Sequence, residues 1–281
     1  MRKPFLLFVS LCSVCLYSSL AALAQGFSAP QRLVSAAKTA PLITQNATLY
    51  AASGDEKYLR EAQFFAKSAL AAVSFSDVEL RAAPASGMAA ELEASRALGV
   101  SLLQLYSVSA DRQDLKAAEG AADYILDYQP IEQVISAAAD AQMAANIELV
   151  RFMNLLGRYS GKATYRDFAQ RAFELLAKGR RADVLALEAE LRSEPLHITV
   201  VGHKDDPAAL PIFKEALKYP ATYKRTEWWD KREGAMLNPD VDYPEFAKAA
   251  AFVCTNKRCS LPIFSAERIP VTIKMLSEDQ K

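Results

Sequence analysis

The feature that most constrains the fold is a helix–turn–helix pattern that occurs three times between residues 25 and 195. In each copy an apolar helix is followed by a tight turn and then by an amphipathic helix. Gly in such a turn supplies the left-handed residue that ends the first helix, and Asp can cap the next one. Periods of about 50 residues with two helices per unit predict a helical array or toroid. The three turns, at offsets of 56 and 51 residues, are Ser53-Gly54-Asp55, Ser109-Ala110-Asp111 and Ser160-Gly161-Lys162.

Side-chain spacing within the copies supports helical hairpins. Leu98, Leu102 and Leu105 recur on one helix face, and the many Ala residues allow the helices to approach closely. Pro41 removes a backbone donor, so we expect it to bend or restart the first helix. The repeat offsets also align one polar residue near the start of the first helix of each copy. These residues either cap their helices or line a pocket, and both readings remain open: Thr39, Ser95 and Asn146.

From residue 196 onward the pattern changes to one of short strands. A β-branched run at 197–202 predicts a buried strand, and Pro207 begins a predicted helix that ends at Lys218. Two more strands are predicted at 223–229 and 250–253, followed by a closing helix. The predicted fold class is mostly α, with tandem helical hairpins followed by a small α/β module. The predicted divisions are 1–24 (signal peptide), 25–195 (hairpin domain) and 196–281 (C-terminal module).

The first 24 residues have the features of a cleaved signal peptide. Arg2 and Lys3 precede an apolar run, and Ala22-Leu23-Ala24 forms a small-x-small cleavage site. The run is shorter than the ~20 apolar residues of a membrane span, which favours export over a stable membrane anchor. We therefore expect a periplasmic or secreted protein cleaved after Ala24. The remaining chain has 31 Lys and Arg against 33 Asp and Glu, a balance without the basic surface typical of nucleic-acid binding.

Removal of the signal peptide leaves two cysteines, Cys254 and Cys259. An isolated pair in an exported chain predicts a disulfide. A redox-active pair and a metal site are the alternatives. A zinc site needs two further ligands, and the only histidines, His197 and His203, lie far away in sequence. We predict neither a metal nor a cofactor.

The helical segment contains neither His nor Cys, so a catalytic site there would have to use carboxylates, Tyr or Lys. Glu91 and Glu93 are the nearest paired acids, but residues two apart point to different sides of a helix. Asp140 is a third weak candidate. Each of these acids is otherwise a solvated surface residue.

Two residues of the C-terminal module are further candidates for lining a pocket. His203 follows the first strand, where open α/β sheets bind ligands, although a single Gly makes a weak phosphate loop. Trp228 can anchor a partner or a sugar ring. Because strand residues alternate, we expect only one of Trp228 and Trp229 to face the core.

The C-terminal sequence resembles a known family. The runs at 197–202 and 250–259, together with Pro262, are similar to the ending A-Y-V-C-x-N-x-x-C-x-x-P of the thioredoxin-domain-containing proteins related to spermatogenesis-associated protein 20. The third hairpin, with Asn146 and Ser160-Gly161, resembles the last hairpin of that family. The similarity spans roughly residues 85–264. Family members join an N-terminal thioredoxin-like domain to an (α/α)6 toroid of the six-hairpin glycosidase and N-acylglucosamine 2-epimerase type.

The resemblance implies about half of such a toroid, since the chain has three hairpin copies and no C-x-x-C after the predicted signal peptide. We therefore expect an exported, non-catalytic binding or accessory module. Its open half-ring would form a homodimer or dock a separate thioredoxin-like or toroid partner chain, because open inner faces need a cover. One alternative is a carbohydrate-active toroid enzyme using carboxylates. The other is a thiol–disulfide accessory protein acting through Cys254 and Cys259.

Overall fold

The protein is described by a computed structural model over residues 28–75, 88–127, 131–135, 140–177, 182–256 and 258–278. The helical part comprises α1 (Ala29–Ala37), α2 (Ala40–Ser53), α3 (Glu56–Ala72), α4 (Met88–Ser109), α5 (Arg112–Asp127), α6 (Ile131–Val134), α7 (Asp140–Ser160), α8 (Ala163–Leu176) and α9 (Ala182–Arg192). The C-terminal part comprises β1 (Leu196–Val201), α10 (Ala209–Lys218), β2 (Lys224–Trp229), β3 (Ala250–Cys254) and α11 (Arg268–Glu278). The predicted fold class is confirmed.

Three helical hairpins, α2–α3, α4–α5 and α7–α8, follow the sequence repeat. Their turns contain left-handed residues, with φ of 69° at Gly54, 53° at Ala110 and 75° at Gly161. Asp55 caps α3 by accepting the Lys57 amide at 3.0 Å. The turn chemistry expected from the sequence is therefore present, although Ala110 adopts a conformation that favours glycine.

The first helices of the three hairpins form a row in which α4 lies between α2 and α7. A β-carbon at Gly99 would lie 2.6 Å from a ring carbon of Phe152, so glycine permits the close approach of α4 and α7. The expected restart at Pro41 is confirmed, since α1 ends at Ala37 and α2 begins at Ala40 with the proline in its first turn. The signal peptide, the loop expected at 78–87 and the helix end expected at 129–130 lie outside the described residues. No helix in the described ranges is long and apolar enough to cross a membrane.

The C-terminal module is a three-stranded sheet of order β2-β1-β3. Strands β1 and β2 are parallel and joined by α10, while β3 runs antiparallel to β1. One face of the sheet is apolar and belongs to the main core together with α10, through residues such as Ile198, Val200 and Phe213. The opposite face carries the polar residues described below.

The three repeated turns all lie against this C-terminal module. Gly54 packs beside the side chain of Lys214, and the carbonyl of Ala110 accepts a hydrogen bond from Lys204 Nζ at 2.9 Å. A β-carbon at Gly161 would lie 3.2 Å from the carbonyl oxygen of Leu237. The module thus covers the turn end of the hairpins, and the repeat determines where it docks.

Candidate functional site

A cluster of charged side chains is buried on the sheet face opposite α10. Strand β1 contributes His197 and Thr199, and β2 contributes Arg225 and Glu227. Alternate strand residues share a face, and the parallel register sets His197 beside Arg225 and Thr199 beside Glu227. All four are at most 5% exposed. Buried charges are costly unless they are paired, so their contacts determine what this site can do.

His197 lies between two carboxylates. Its Nδ1 is 2.5 Å from Oδ2 of Asp240, and its Nε2 is 2.9 Å from Oε2 of Glu227. Arg225 pairs with the same Glu227 oxygen and donates to the carbonyl of Asn238 at 2.6 Å. When the imidazole carries both protons, two cations face two carboxylates and the cluster is neutral.

Asp240 reaches the cluster from segment 230–249, which covers this face of the sheet. The segment begins with a short 3-10 helix (Lys231–Glu233) and is otherwise irregular. Asn238 anchors the segment by donating to the carbonyl of Arg158 at 2.6 Å, and the hydroxyl of Tyr243 lies 3.0 Å from Thr199 Oγ1. Burial alone would raise the pKa of Asp240. The hydrogen bond and charge of His197, together with nearby arginines, outweigh it and lower that pKa below its ordinary value.

The disulfide between Cys254 and Cys259 lies beside this cluster. Cys254 is the direct partner of His197 in the β1–β3 register. A carboxylate oxygen of Asp240 and the two sulfurs all lie within 4.8 Å of one another. Cys254 is 4% exposed and Cys259 is half-buried, so Cys259 is the more accessible sulfur.

A small open indentation of about 10 Å³, room for about one water molecule, reaches the other side of the cluster. It lies between the end of α4, strand β2 and the covering segment, and Glu227 and Trp228 are among its lining residues. The hydroxyl of Tyr106 donates to Oε1 of Glu227 at 3.2 Å. Burial and the neighbouring Glu227 charge raise the pKa of Tyr106 well above its ordinary value, so its hydroxyl remains a donor at neutral pH.

Thr39, Ser95 and Asn146, the aligned polar residues, are all buried inside the helical domain. Thr39 precedes α2 and donates its hydroxyl to the carbonyl of Ala36, while Ser95 donates to the carbonyl of Ala121. Asn146 accepts a hydrogen bond from Gln142 at 3.3 Å. None of the three lines the indentation.

The two candidate acids of α4 point to different sides, as their spacing predicts. Glu91 is buried and accepts the Tyr124 hydroxyl at 3.3 Å, so the expectation of a solvated surface residue is wrong for it. Exposed Glu93 pairs with Arg96. The side chain of Asp140, at the start of α7, lies outside the described residues. Glu91 and Glu93 are therefore not brought together.

The two C-terminal candidates have different positions. His203 is exposed, with Nδ1 3.6 Å from Oδ1 of Asp230. Trp228 lines the indentation, packs against Phe213 and donates to the carbonyl of Gly202 at 3.1 Å. Trp229 packs near Tyr243 on the opposite sheet face. Only Trp228 faces the main core, as the alternation predicts. Trp229 is partly shielded on the opposite face, because segment 230–249 gives that face a small core of its own.

Sequence reasoning missed the charged cluster. The alternation of His197 with Thr199 and of Arg225 with Glu227 was the available signal, since polar residues at every second position of a strand mark one face. Asp240 has no comparable local signal. No protein-family model matches this chain, and no curated protein matches it. Function must therefore be inferred from the chemistry of the site.

Proposed function

We propose that this protein is an exported accessory protein that exchanges thiols and disulfides through Cys254 and Cys259. The observation that carries the proposal is the carboxylate of Asp240, bonded to His197 and within 4.8 Å of both sulfurs. A hydrogen-bonded acid–base pair beside a disulfide can supply the proton that a departing thiolate needs.

The exchange begins when a thiolate of a dithiol partner attacks Sγ of Cys259, the more accessible sulfur. A bond forms between these sulfurs, the Cys254–Cys259 bond breaks, and its electron pair leaves on Cys254. That sulfur takes a proton from the His197–Asp240 pair. The second thiolate of the partner then attacks the partner's own sulfur in the mixed disulfide and releases the Cys259 thiolate, which takes a proton from solvent. Solvent also returns a proton to the His197–Asp240 pair, and these two protons are the ones that the partner's thiols released on ionising. The partner's dithiol is oxidised to a disulfide, and Cys254 and Cys259 are reduced to two thiols.

The buried cluster would keep the proton donor in position. Glu227 contacts Nε2 of His197, and Arg225 neutralises Glu227. This contact orients the imidazole so that its other ring nitrogen, Nδ1, faces Asp240. The low pKa of Asp240 keeps this carboxylate ionised, so that it holds Nδ1 of His197 by a hydrogen bond. Arg225 and Glu227 are positioning residues in this scheme.

Export and partner class remain part of the same proposal. The signal-peptide pattern supports an oxidising compartment, where disulfides persist. The family resemblance supports a dithiol partner, because family members join a thioredoxin-like domain to their toroid.

The helical hairpins offer less support for a homodimer in which a second copy completes the toroid. Arg96 pairs with Glu93 and Glu148, and Arg151 pairs with Glu190 at 2.9 Å. Ion pairs of this kind are compatible with water and do not require a covering chain. A homodimer through these faces is thus the less favoured form of the accessory role.

A trapping experiment tests the exchange. Cys254→Ser leaves Cys259 free to form a stable mixed disulfide with an oxidised probe such as glutathione disulfide. The matched variant Cys259→Ser leaves only the buried sulfur. We expect rapid adduct formation with the first variant and slow formation with the second, measured by mass spectrometry on protein whose circular dichroism is unchanged. Equal, slow modification of both variants would count against exchange at Cys259.

A further inference from the structure

Three exposed apolar side chains, Phe246, Leu261 and Phe264, lie near the disulfide, and we refer to them as the apolar patch. They are 39%, 85% and 51% exposed. The rings of Phe246 and Phe264 are 5.2 Å apart, and Phe246 also stacks near Phe252 of β3. Phe252 lies on the strand that ends at Cys254, so the patch borders the strand that carries the buried sulfur.

We infer that the apolar patch docks a folded dithiol protein whose nucleophilic cysteine is surrounded by apolar surface. The inference rests on the proposed thiol–disulfide exchange. It names the partner class for that site.

Sulfur–sulfur contact determines the geometry of docking. A mixed disulfide joins sulfurs at about 2 Å, so the partner's surface must close over Cys259. Leu261 follows two residues later, within about 7 Å along an extended chain. A folded protein that reaches Cys259 therefore covers Leu261 as well. Leu261, the most exposed large apolar side chain in the described ranges, would thus be a contact in the docked complex.

The size of the patch favours a transient partner over a second copy of this chain. Stable homodimers bury well over 1,200 Å², whereas redox encounters lie below roughly that area. The apolar patch has only three side chains, which is consistent with the smaller interface of a redox encounter. The patch also leaves the ion-paired hairpin faces free.

Reduction rates of the full mature chain test the inference. Reduced thioredoxin serves as the protein dithiol and dithiothreitol as the small one, and Leu261→Ser and Phe264→Ser are compared with wild type. Loss of an apolar anchor should slow reduction by thioredoxin about tenfold. Reduction by dithiothreitol should not change, because a small dithiol needs no docking surface. Leu185→Ser, at an exposed leucine of α9, is the matched control and should leave both rates unchanged.

The outcomes separate the two proposals. Equal thioredoxin rates for wild type and variants, or a disulfide that opens with dithiothreitol but not with thioredoxin, would overturn the docking surface. Self-association that Leu261→Ser abolishes would reassign the patch to a second copy and overturn it too. A disulfide that dithiothreitol cannot open in the folded wild type would overturn the exchange itself.

Discussion

Nδ1 of His197 lies 2.5 Å from Oδ2 of Asp240, across 43 residues of sequence. This contact joins segment 230–249 to the first strand of the sheet. Arg225 adds a hydrogen bond to Asn238 in the same segment. The segment is therefore held to the sheet partly through polar contacts of the buried cluster, and this part of its attachment should respond to pH.

Asp240→Asn should remove part of the acid sensitivity of the fold. The folded-state pKa of Asp240 is lower than its ordinary value of 3.8, so its stabilising contribution is present above that value and is lost as the pH falls through the folded pKa. Because the carboxylate is partly exposed, we expect a loss of about 1 kcal/mol at pH 6 and a smaller loss as the pH falls below 3.8. Urea unfolding between pH 3 and 6 measures this, with exposed Asp242→Asn as the control. A parallel pH profile for wild type and Asp240→Asn would contradict it.

Glu227→Gln should be among the most destabilising changes in the module. It leaves Arg225, which is 2% exposed, without its buried counter-charge, and breaking such a pair costs about 3–5 kcal/mol. Combining it with Arg225→Met removes both charges, so the double variant should lose less than the sum of the single losses. Denaturant unfolding of the four proteins gives the coupling. Strictly additive losses would mean that the two side chains act independently.

Tyr159→Phe should leave a buried backbone amide of the edge strand β2 without its hydrogen-bond acceptor. The Tyr159 hydroxyl accepts the buried amide of Thr226 at 3.0 Å, where β2 meets α7. An unsatisfied buried donor costs about 1–3 kcal/mol, and hydrogen exchange of the Thr226 amide should accelerate. Tyr106→Phe is the comparison, because that hydroxyl reaches Glu227 instead. Unchanged protection of Thr226 in Tyr159→Phe would argue against the contact.

The two turn glycines should differ in their tolerance of alanine. Left-handed backbone costs an L-residue about 1–2 kcal/mol, which applies to Gly54→Ala and Gly161→Ala alike. At Gly54 the new methyl meets the flexible chain of Lys214, but at Gly161 it meets the backbone oxygen of Leu237. We expect the larger loss of unfolding free energy for Gly161→Ala. Equal losses would show that the docked segment moves aside without cost.

Gly99→Ala should separate α4 from α7. Its methyl would lie 2.6 Å from the Phe152 ring, and overpacking of this kind costs about 1–3 kcal/mol. Phe152→Leu combined with it should recover part of the loss by making room. Thermal and urea unfolding test the pair. If the double variant loses as much unfolding free energy as the two single variants together, or more, relief of the clash is ruled out.

The sequence by itself determined the three hairpins, the restart at Pro41, the strands of the C-terminal module and its following helices. Each depends on local physics, namely the 3.6-residue apolar period, the alternation of strands and the left-handed preference of turn glycines. The separation of Glu91 from Glu93 follows from the same helical geometry. Two cysteines outside the predicted signal peptide were enough to suggest a disulfide, which the structure contains.

Only the tertiary structure decided that His197, Arg225, Glu227 and Asp240 meet beside that bond. Strand register and the path of segment 230–249 bring them together, and both depend on packing between elements far apart in sequence. The second aromatic core around Trp229 arises for the same reason. A periodic pattern assigns a residue to a face, but the path of segment 230–249 over the sheet determines which charge faces it.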